Sequence, residues 1–491
     1  METLNNEDDV RLKYMMDDSR LTLPGDPDGV VMRFAPNPNG PLTLGHARGV
    51  VVNNELSRKY GGKFILRFDD TDPRIKRPLL EAYEWILEDM NWLNAKPDEV
   101  VVASERIPVY YEYAEKLISL GKAYVCECER EDFKKLKDAG NECPCRRKES
   151  SEKWKKMLAG GYEEGEAVLR IKTDIRHPDP AIRDWVAFRI IKESHPRVGD
   201  KYVVWPMLDF QSAIEDHLFG LTHVIRGKDL MDSEKKQKYV YDYLGWTYPK
   251  VIHWGRISIH EYGKFSTSEI AKGIKEGRYS GWDDPKLPTL RALKRRGIQP
   301  EAVRNLMFGL GLSLTDITVS LENLYAENRK AVDGLANRYF FVEDPVQLTV
   351  KNPQCKTIRL PLHPVHRDRG VREHTLTVED GKAEVFISGK DACELEKGTV
   401  LRLMGLCAVE VDSVGDKPSC TNSDSKPKGK LQWVQDGVSC EIIRDDGVSH
   451  GLCDKSCLKL NVGDVIQFER TGFARLDAKE GEKLVFYFAH R

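Results

Sequence analysis

The chain has 491 residues, of which 40% are hydrophobic, and this is enough apolar sequence for roughly two to four domains. Its 76 Lys and Arg against 78 Asp and Glu give a formal net charge of −2, which excludes a protein that is basic throughout; any RNA contact must use a local patch. No apolar run approaches the roughly 18 residues of a membrane-spanning helix, and an odd set of eleven cysteines without a secretory signal favours reduced thiols, so we expect a cytoplasmic protein.

The first patterned segment predicts a strand, a turn and a helix. Val30–Ala35 is a short apolar run, Pro36–His46 is rich in Pro, Asn and Gly, and Leu44–Tyr60 has helical spacing. A second β-rich run, Lys63–Phe68, is followed by the helical pattern of Leu79–Trp92. This β-α-β order favours a doubly wound parallel sheet of the Rossmann-like α/β type.

Four cysteines stand close together in the next segment. Residues 107–196 are richer in Cys, Lys and Glu, and we interpret them as an insertion that splits one sheet domain. Two Cys-x-Cys pairs within it suit a tetrahedral, structural Zn²⁺ with no open position. The spacing is tighter than the usual Cys-x2-Cys, so free thiols are the alternative. The four are Cys126, Cys128, Cys143 and Cys145.

The rest of the chain passes from strands to helices and then to a β-rich region. Strand-like runs return at Tyr202–Val204, Thr222–Arg226 and Val251–Trp254, and two helical stretches rich in Arg and Lys follow. After Phe341, short alternating runs predict an all-β region, in which Asp416–Gly429 is interpreted as a loop. The predicted parts are an N-terminal lead (1–28), two halves of the sheet domain (29–106 and 197–260), the insertion (107–196), a helical connecting domain (261–340) and C-terminal β-barrels (341–491).

Charged side chains of both signs stand at the predicted strand ends. Arg33 is near the end of the first strand, Asp69 and Asp70 follow the second, and Arg226 ends another. Ligands of open parallel sheets bind at these ends, so the charges form a candidate clamp for a zwitterion with an extra carboxylate. A structural network of Arg–Asp ion pairs is the alternative. The turn before His46, at a helix start, is a candidate phosphate site.

Six segments, taken in order, resemble the landmarks of class I aminoacyl-tRNA synthetases of the glutamyl/glutaminyl group, most closely archaeal-type glutamyl enzymes. The resemblance implies activation of L-glutamate with ATP and Mg²⁺, followed by transfer to tRNA(Glu), with tRNA(Gln) as a possible second acceptor that the sequence leaves open. It also implies anticodon-reading β-barrels, an inserted domain that binds the acceptor end of the tRNA and, because members commonly carry a longer start, an N-terminally truncated form. We further expect a monomer. The segments are RFAPNPNGPLTLGHARG, LRFDDTDP, WPMLDFQSAIEDHLFGLTHVIRG, HWGRISI, GWDDPKLPTLRALKRRGI and NRKAVDGLANRYFFV.

The resemblance also implies an ATP site with two departures from the family pattern. The signature His-x-Gly-His falls on Thr43–His46, so threonine replaces its first histidine, and Lys-Met-Ser-Lys-Ser falls on Lys264–Ser268, where threonine replaces the second lysine. Whether Lys264 or Lys272 holds the pyrophosphate is open. The implied catalytic residues are His46, Thr43, Lys264 and Ser266, and the implied ATP-binding residues are Asn37, Pro38, Thr43, Gly45, His46, Gly49, Arg256, Ile257, Lys264, Ser266 and Thr267.

The family's amino-acid pocket falls on five positions. Arg226 matches the arginine that pairs with the γ-carboxylate in glutamyl enzymes, while Leu208 stands where many members have a tyrosine. The alternatives are a glutaminyl-tRNA synthetase, disfavoured by Arg226, and a catalytically silent RNA-binding relative, suggested by the two threonine replacements. The pocket residues are Arg33, Asp69, Leu208, Ser212 and Arg226, and Lys294, Arg295, Arg296 and Arg304 are candidate RNA contacts.

Overall fold

The chain forms two compact units in a computed structural model that describes residues 21–25, 27–263, 266–354 and 357–491. The first unit comprises the described residues up to Lys272 together with Arg304–Ser320. The second comprises Gly273–Val303 and Leu321–Arg491. Within the described residues, no helix combines the length and the apolar character that crossing a membrane requires.

The first unit opens with the parallel sheet that the sequence predicts. It is built from β1 (Val31–Phe34), α1 (Leu44–Lys59), β2 (Lys63–Phe68), α2 (Leu80–Trp92) and β3 (Glu99–Val102). The strands pair in the order β1-β2-β3, all in parallel. Every side chain of β2 after its first residue is buried, as expected for a strand covered on both faces.

An antiparallel sheet with its own helices follows. Its strands are ordered β4-β5-β6-β7, and their core is rich in aromatic side chains, including Trp154, Phe188 and Trp205. The strand β7 lies beyond residue 196 and pairs with β6 instead of joining the parallel strands. The elements are α3 (Ile107–Ser119), β4 (Ala123–Cys126), α4 (Arg130–Asp138), α5 (Ser151–Leu158), β5 (Val168–Ile171), β6 (Val186–Ile190) and β7 (Val204–Pro206).

The chain then returns to parallel pairing. The elements are α6 (Leu208–Leu218), β8 (His223–Gly227), α7 (Met231–Leu244), β9 (Lys250–Trp254), β10 (Ile257–Ile259) and α8 (Thr267–Lys275). The strands β8 and β9 pair in parallel. The N–H of Thr222 donates to the carbonyl of Val31 over 3.1 Å, so β8 lies beside β1. Residues of β1, β2 and β8 thereby approach one another, and this places the candidate site.

Short helices connect the parallel strands to the C-terminal region. They are α9 (Leu290–Arg296), α10 (Pro300–Gly309) and α11 (Leu321–Val332), and between the last two lies β11 (Ile317–Val319). The strand β11 pairs in parallel with β10 in the first unit. The predicted helical stretch is therefore divided between the two units.

The C-terminal region is all-β apart from short helical turns, as the sequence predicts. A seven-stranded sheet has the order β12-β24-β25-β26-β22-β23-β13, and a six-stranded sheet has the order β17-β14-β20-β19-β18-β21. Each sheet has its own apolar core. The elements are β12 (Arg338–Tyr339), β13 (Phe341–Glu343), β14 (Val346–Lys351), β15 (Thr357–Pro361), β16 (Val371–Thr375), β17 (Lys382–Ile387), α12 (Gly389–Cys393), β18 (Val400–Leu403), β19 (Ala408–Ser413), β20 (Ser419–Asn422), β21 (Gly429–Leu431), β22 (Val438–Ile443), β23 (Val448–Cys453), β24 (Val465–Phe468), β25 (Gly472–Glu480) and β26 (Lys483–His490).

The segment Asp416–Gly429 is only partly the loop that its composition indicates. Ser419–Asn422 forms β20, which pairs with both β14 and β19. Its Cys420 is fully buried in the core of the six-stranded sheet. One small apolar side chain suffices to anchor a short strand in this sheet, and such a signal is too weak to stand out in a polar stretch.

Three of the four candidate RNA contacts are engaged inside the protein. Arg295 pairs with Asp477 over 2.8 Å, and Arg296 donates to a carbonyl of β26 over the same distance. Arg304 pairs with an acid of α1 over 2.5 Å. Lys294 is exposed. These arginines therefore hold the fold together, and a role in RNA binding is a prediction that rests on Lys294.

Candidate active site

Three arginines meet one buried carboxylate where β1, β2 and β8 approach one another. Arg33 Nε lies 3.3 Å from Asp216 Oδ1, and Arg67 Nη1 lies 2.6 Å from the same oxygen. Arg226 Nη2 lies 3.7 Å from Asp216 Oδ2, which is longer than a hydrogen bond. Asp216, on α6, is 2% exposed, and each arginine is less than a tenth exposed. The structure therefore brings together Arg33 and Arg226, as the sequence predicts, through an acid that the sequence analysis missed.

The charges in this cluster do not cancel. Burial opposes ionisation of Asp216, but the three arginines outweigh burial and hold the pKa of this carboxyl below its usual value. Burial lowers the pKa of Arg33 despite the nearby Asp216. Asp69 and Asp216 together overcome burial and raise the pKa of Arg67. The buried Glu215 nearby pairs with Arg106 over 2.8 Å, so three guanidinium groups face two carboxylates, and the positive excess favours an anionic ligand.

Asp69 is held in place by two side chains. Its Oδ1 accepts hydrogen bonds from Arg67 Nε over 2.6 Å and from Gln211 Nε2 over 2.8 Å, and its Oδ2 accepts one from Arg67 Nη2 over 3.2 Å. Arg67 was missed by the sequence analysis, although a charged residue within the apolar run KFILRF is an available signal. An ionised carboxylate can accept about four hydrogen bonds, so Asp69 can accept another donor.

Arg226 presents one unused edge of its guanidinium group. Its Nη1 donates to Gln237 Oε1 over 3.0 Å. Its Nε and Nη2 are buried and have no hydrogen-bond acceptor among the described residues. Buried donors without an acceptor are costly, and the Nε and Nη2 edge of arginine matches the two oxygens of a carboxylate.

The turn between β1 and α1 is tied to the end of β2. Asn37 Nδ2 donates to the carbonyl of Asp69 over 2.9 Å, and the N–H of Asp69 donates to the carbonyl of Pro36 over 3.0 Å. The carbonyl of Pro38 accepts from the N–H of Leu79 over 2.8 Å. The predicted phosphate loop and the predicted amino-acid pocket are therefore parts of one hydrogen-bonded assembly.

Thr43 orients His46 at the start of α1. The backbone N–H of Thr43 donates to His46 Nδ1 over 3.2 Å. Because Nδ1 accepts, the proton of the neutral imidazole is assigned to Nε2. His46 is exposed to solvent, so its Nε2–H is accessible to a ligand at the start of α1.

Gly45 and Gly49 differ in whether the surrounding atoms leave room for a side chain. A Cβ at Gly49 would lie 2.9 Å from the ring of Phe34, so helix packing alone explains this glycine. A Cβ at Gly45 would meet only Thr43 Oγ1 at 3.8 Å, so the packing leaves room for a side chain. Glycine costs about 0.5 to 1 kcal/mol in a helix relative to alanine. Gly45 thus favours close approach of a ligand to the backbone at the start of α1.

The described residues of the second signature segment have other hydrogen-bond partners. Lys264 lies outside the described residues. Ser266 caps α8, because its N–H and Oγ donate to Glu269 Oε2 and its Oγ accepts from the N–H of Glu269. Thr267 begins α8, and Lys272 is an exposed residue of the same helix. Among the other predicted residues, Ile257 begins β10, Arg256 is exposed just before it, and Leu208 is exposed at the start of α6.

Comparison with known families adds to this geometry. Residues 29–333 match the family described as "tRNA synthetases class I (E and Q), catalytic domain". The chain belongs to this family. Residues 336–424 and 430–477 match two families described as anti-codon binding domains of the same synthetases, in the region of the two C-terminal sheets. The fold class and the family resemblance predicted from the sequence are confirmed.

Several relatives of this synthetase are more than half identical to it. A protein of Methanosarcina acetivorans named glutamate–tRNA ligase is 55% identical over 478 residues, covering 95% of this chain and 83% of the relative. Proteins of the same name from Methanosarcina mazei and Archaeoglobus fulgidus are each 54% identical, over 94% of this chain and 82% and 83% of theirs.

The four cysteines of the inserted domain form one compact group in this synthetase. Cys126 Sγ lies 3.9 Å from Cys143 Sγ, and Cys128 Sγ lies 3.8 Å from Cys145 Sγ. All four sulfurs lie within 4.8 Å of one another. Zinc with Zn–S bonds of about 2.3 Å in a tetrahedron separates its sulfurs by roughly 3.8 Å, so the donor set fits this ion.

Proposed function

We propose that this synthetase is a glutamate–tRNA ligase that activates L-glutamate with ATP and transfers it to the 3′-terminal adenosine of tRNA(Glu). The observation that carries the proposal is the unused Nε and Nη2 edge of Arg226, buried in a cluster with excess positive charge. A γ-carboxylate accepts from both donors, whereas the amide nitrogen of glutamine is itself a donor. The name shared by the Methanosarcina and Archaeoglobus relatives supports the same substrate.

In the proposed reaction the protein mainly positions glutamate against ATP and supplies hydrogen-bond donors to the reacting α-phosphate. Asp69 accepts from the α-ammonium of glutamate, so that the α-carboxylate faces the α-phosphate of ATP. His46 Nε2–H and the free backbone N–H groups at the start of α1 stabilise the charge on that phosphate. Mg²⁺, which the family implies, would when bound supply positive charge to offset that of the pyrophosphate. Lys264, Ser266, Thr267, Arg256 and Ile257 are proposed contacts of ATP.

The test of the proposal is charging of separately prepared tRNA(Glu) and tRNA(Gln) with labelled glutamate, with labelled glutamine as the control. We expect glutamate on tRNA(Glu) and no charging with glutamine. Glutamate on tRNA(Gln) as well would mark a non-discriminating enzyme. ATP–pyrophosphate exchange with tRNA present separates an active ligase from a silent RNA-binding relative; no glutamate-dependent exchange would reject the proposal. The expectations of a monomer and of a cytoplasmic location belong to the same proposal.

Replacing His46 with alanine tests the donor at the phosphate. We expect His46→Ala to lower the rate of glutamate-dependent pyrophosphate exchange by about 100-fold, as loss of one donor to a transition-state oxyanion typically does. His46→Asn keeps an N–H donor and should recover part of the rate. The exposed His260 offers a matched control, His260→Ala. A parental exchange rate in His46→Ala would contradict the assignment.

We propose that the four clustered cysteines hold one structural zinc ion. Metal analysis of gently purified protein should find about one zinc per chain, and Cys128→Ser should lower this content because a thiolate ligand is lost. Cys393→Ser, at an exposed cysteine of the second unit, is the control and should keep the metal. Protein that contains no zinc would reject this site.

A further inference from the structure

Gln237 links two of the residues that face the proposed amino-acid pocket. It lies on α7 and is 1% exposed. Its Oε1 accepts hydrogen bonds from Arg226 Nη1 over 3.0 Å and from the hydroxyl of Tyr248 over 2.8 Å. Its Nε2 donates to Ser212 Oγ over 2.5 Å. One side-chain amide thus holds Arg226 at one end and Ser212 at the other.

The chemistry of these partners determines which way the amide points. A guanidinium group has only donors, so the atom of Gln237 that faces Arg226 must be the oxygen. The nitrogen therefore faces Ser212 and uses its hydroxyl oxygen as an acceptor. The Ser212 hydroxyl can then still donate its proton, and it has no hydrogen-bond acceptor among the described residues that surround it.

The neutrality of Gln237 matters as much as its orientation. A glutamate at this position would form a buried ion pair with Arg226 and use up its charge. The amide instead occupies Nη1 without adding charge, while Asp216 stays 3.7 Å from Nη2. Arg226 therefore keeps both its positive charge and its Nε and Nη2 donors for a ligand.

We propose that Gln237 is a specificity-determining positioning residue, which aims Arg226 and the Ser212 hydroxyl so that three donors meet one carboxylate of the substrate. The inference rests on the proposed function, because the carboxylate in question is the γ-carboxylate of glutamate. Glutamine offers one carbonyl oxygen and an NH₂ group, so its amide nitrogen would face donors that it cannot satisfy. Gln237 contributes to selection of glutamate through this arrangement.

The test compares Gln237→Glu and Gln237→Met with the parent in ATP–pyrophosphate exchange with tRNA present. Gln237→Glu should raise KM for glutamate about 10-fold to 100-fold, because the new carboxylate competes with the substrate for Arg226. Gln237→Met has a similar shape but cannot hold Arg226 or Ser212, and it should lower the preference for glutamate over glutamine by about 10-fold. KM for ATP should stay within about twofold of the parent in both variants.

A split between KM and kcat distinguishes this role from a merely structural one. The carboxylate that Gln237→Glu introduces pairs with Arg226 and stays ionised near pH 7, so its effect should fall on KM for glutamate, with kcat within about threefold of the parent. Lys235→Gln, at an exposed residue of the same helix, is the matched control and should leave both parameters unchanged.

The outcomes separate this inference from the proposed function. A parental enzyme that does not activate glutamate would reject the function itself. An active parent, together with parental KM and parental selectivity in both Gln237 variants, would overturn the inference alone. If Gln237→Glu fails to fold, as judged by circular dichroism and thermal melting, the selectivity of Gln237→Met decides the question.

Discussion

Replacing Arg226 with cysteine is expected to abolish the use of glutamate, lowering kcat/KM by about 10³-fold through the loss of a buried, charge-assisted contact worth about 4 kcal/mol. The γ-carboxylate would lose the Nε and Nη2 donors that no residue of the described chain satisfies. The remaining charge on Arg33 and Arg67 is bound to Asp216 and cannot replace them. The measurement is glutamate-dependent pyrophosphate exchange with tRNA present.

The control for this prediction is Arg58→Cys, at an exposed position near the end of α1. It makes the same chemical change away from the cluster and should leave the exchange rate unchanged. We expect Arg226→Cys to fold, because removing this arginine lessens the positive excess around Asp216. A folded Arg226→Cys protein that activates glutamate with parental efficiency would refute the proposed pocket.

Replacing Asp216 with asparagine is expected to destabilise the first unit by about 3 to 5 kcal/mol, because three buried arginines lose the carboxylate between them. For a unit of this size, the loss should lower the midpoint of its thermal transition by roughly 10 °C. Asp232→Asn is the matched control on α7, where Asp232 pairs with Lys235 and both side chains are about half exposed. A surface pair of this kind contributes about 1 kcal/mol or less.

The difference in stability between the parent and Asp216→Asn should also depend on pH. The arginines hold the pKa of Asp216 in the folded state below its ordinary value, so the protonated form is the less stable one. Its stabilising contribution is complete above the unfolded pKa of about 3.9 and is lost as pH falls through the lower folded value. The difference between parent and Asp216→Asn should thus be constant from about pH 5 to 8 and shrink in stronger acid. A difference that grows on acidification would contradict this account.

The local parts of the site were accessible from the sequence, because each lies within one short segment. Strand, turn and helix follow one another in the first sheet unit, and the four cysteines lie within twenty residues. Their patterns are governed by backbone propensity and by short-range spacing. The assignment of Arg226 to a carboxylate came from the family resemblance, and the unused edge of its guanidinium group supports it.

The parts of the site that depend on contacts between residues far apart in the chain could not be predicted from the sequence. Asp216 lies 183 residues from Arg33 and 149 from Arg67 along the chain, and nothing in the stretch AIEDHL distinguishes it from a surface acid. The run Lys294–Arg296 suggested an RNA-binding surface, because a sequence does not show whether charged side chains are paired within the protein or exposed to solvent. Only the fold shows that Arg295 has Asp477 as a partner.

The hydrogen bonds between the Pro36–His46 turn and the end of β2 separate the reaction geometry of the proposed enzyme from its choice of amino acid. Asn37 and Pro36 hydrogen-bond to the backbone of Asp69, so these ties fix the position of ATP relative to that of the amino acid. Arg226 and Gln237 belong to β8 and α7, outside these ties. The choice of amino acid can therefore change over evolution, by substitutions on β8 and α7, while the reaction geometry is inherited intact.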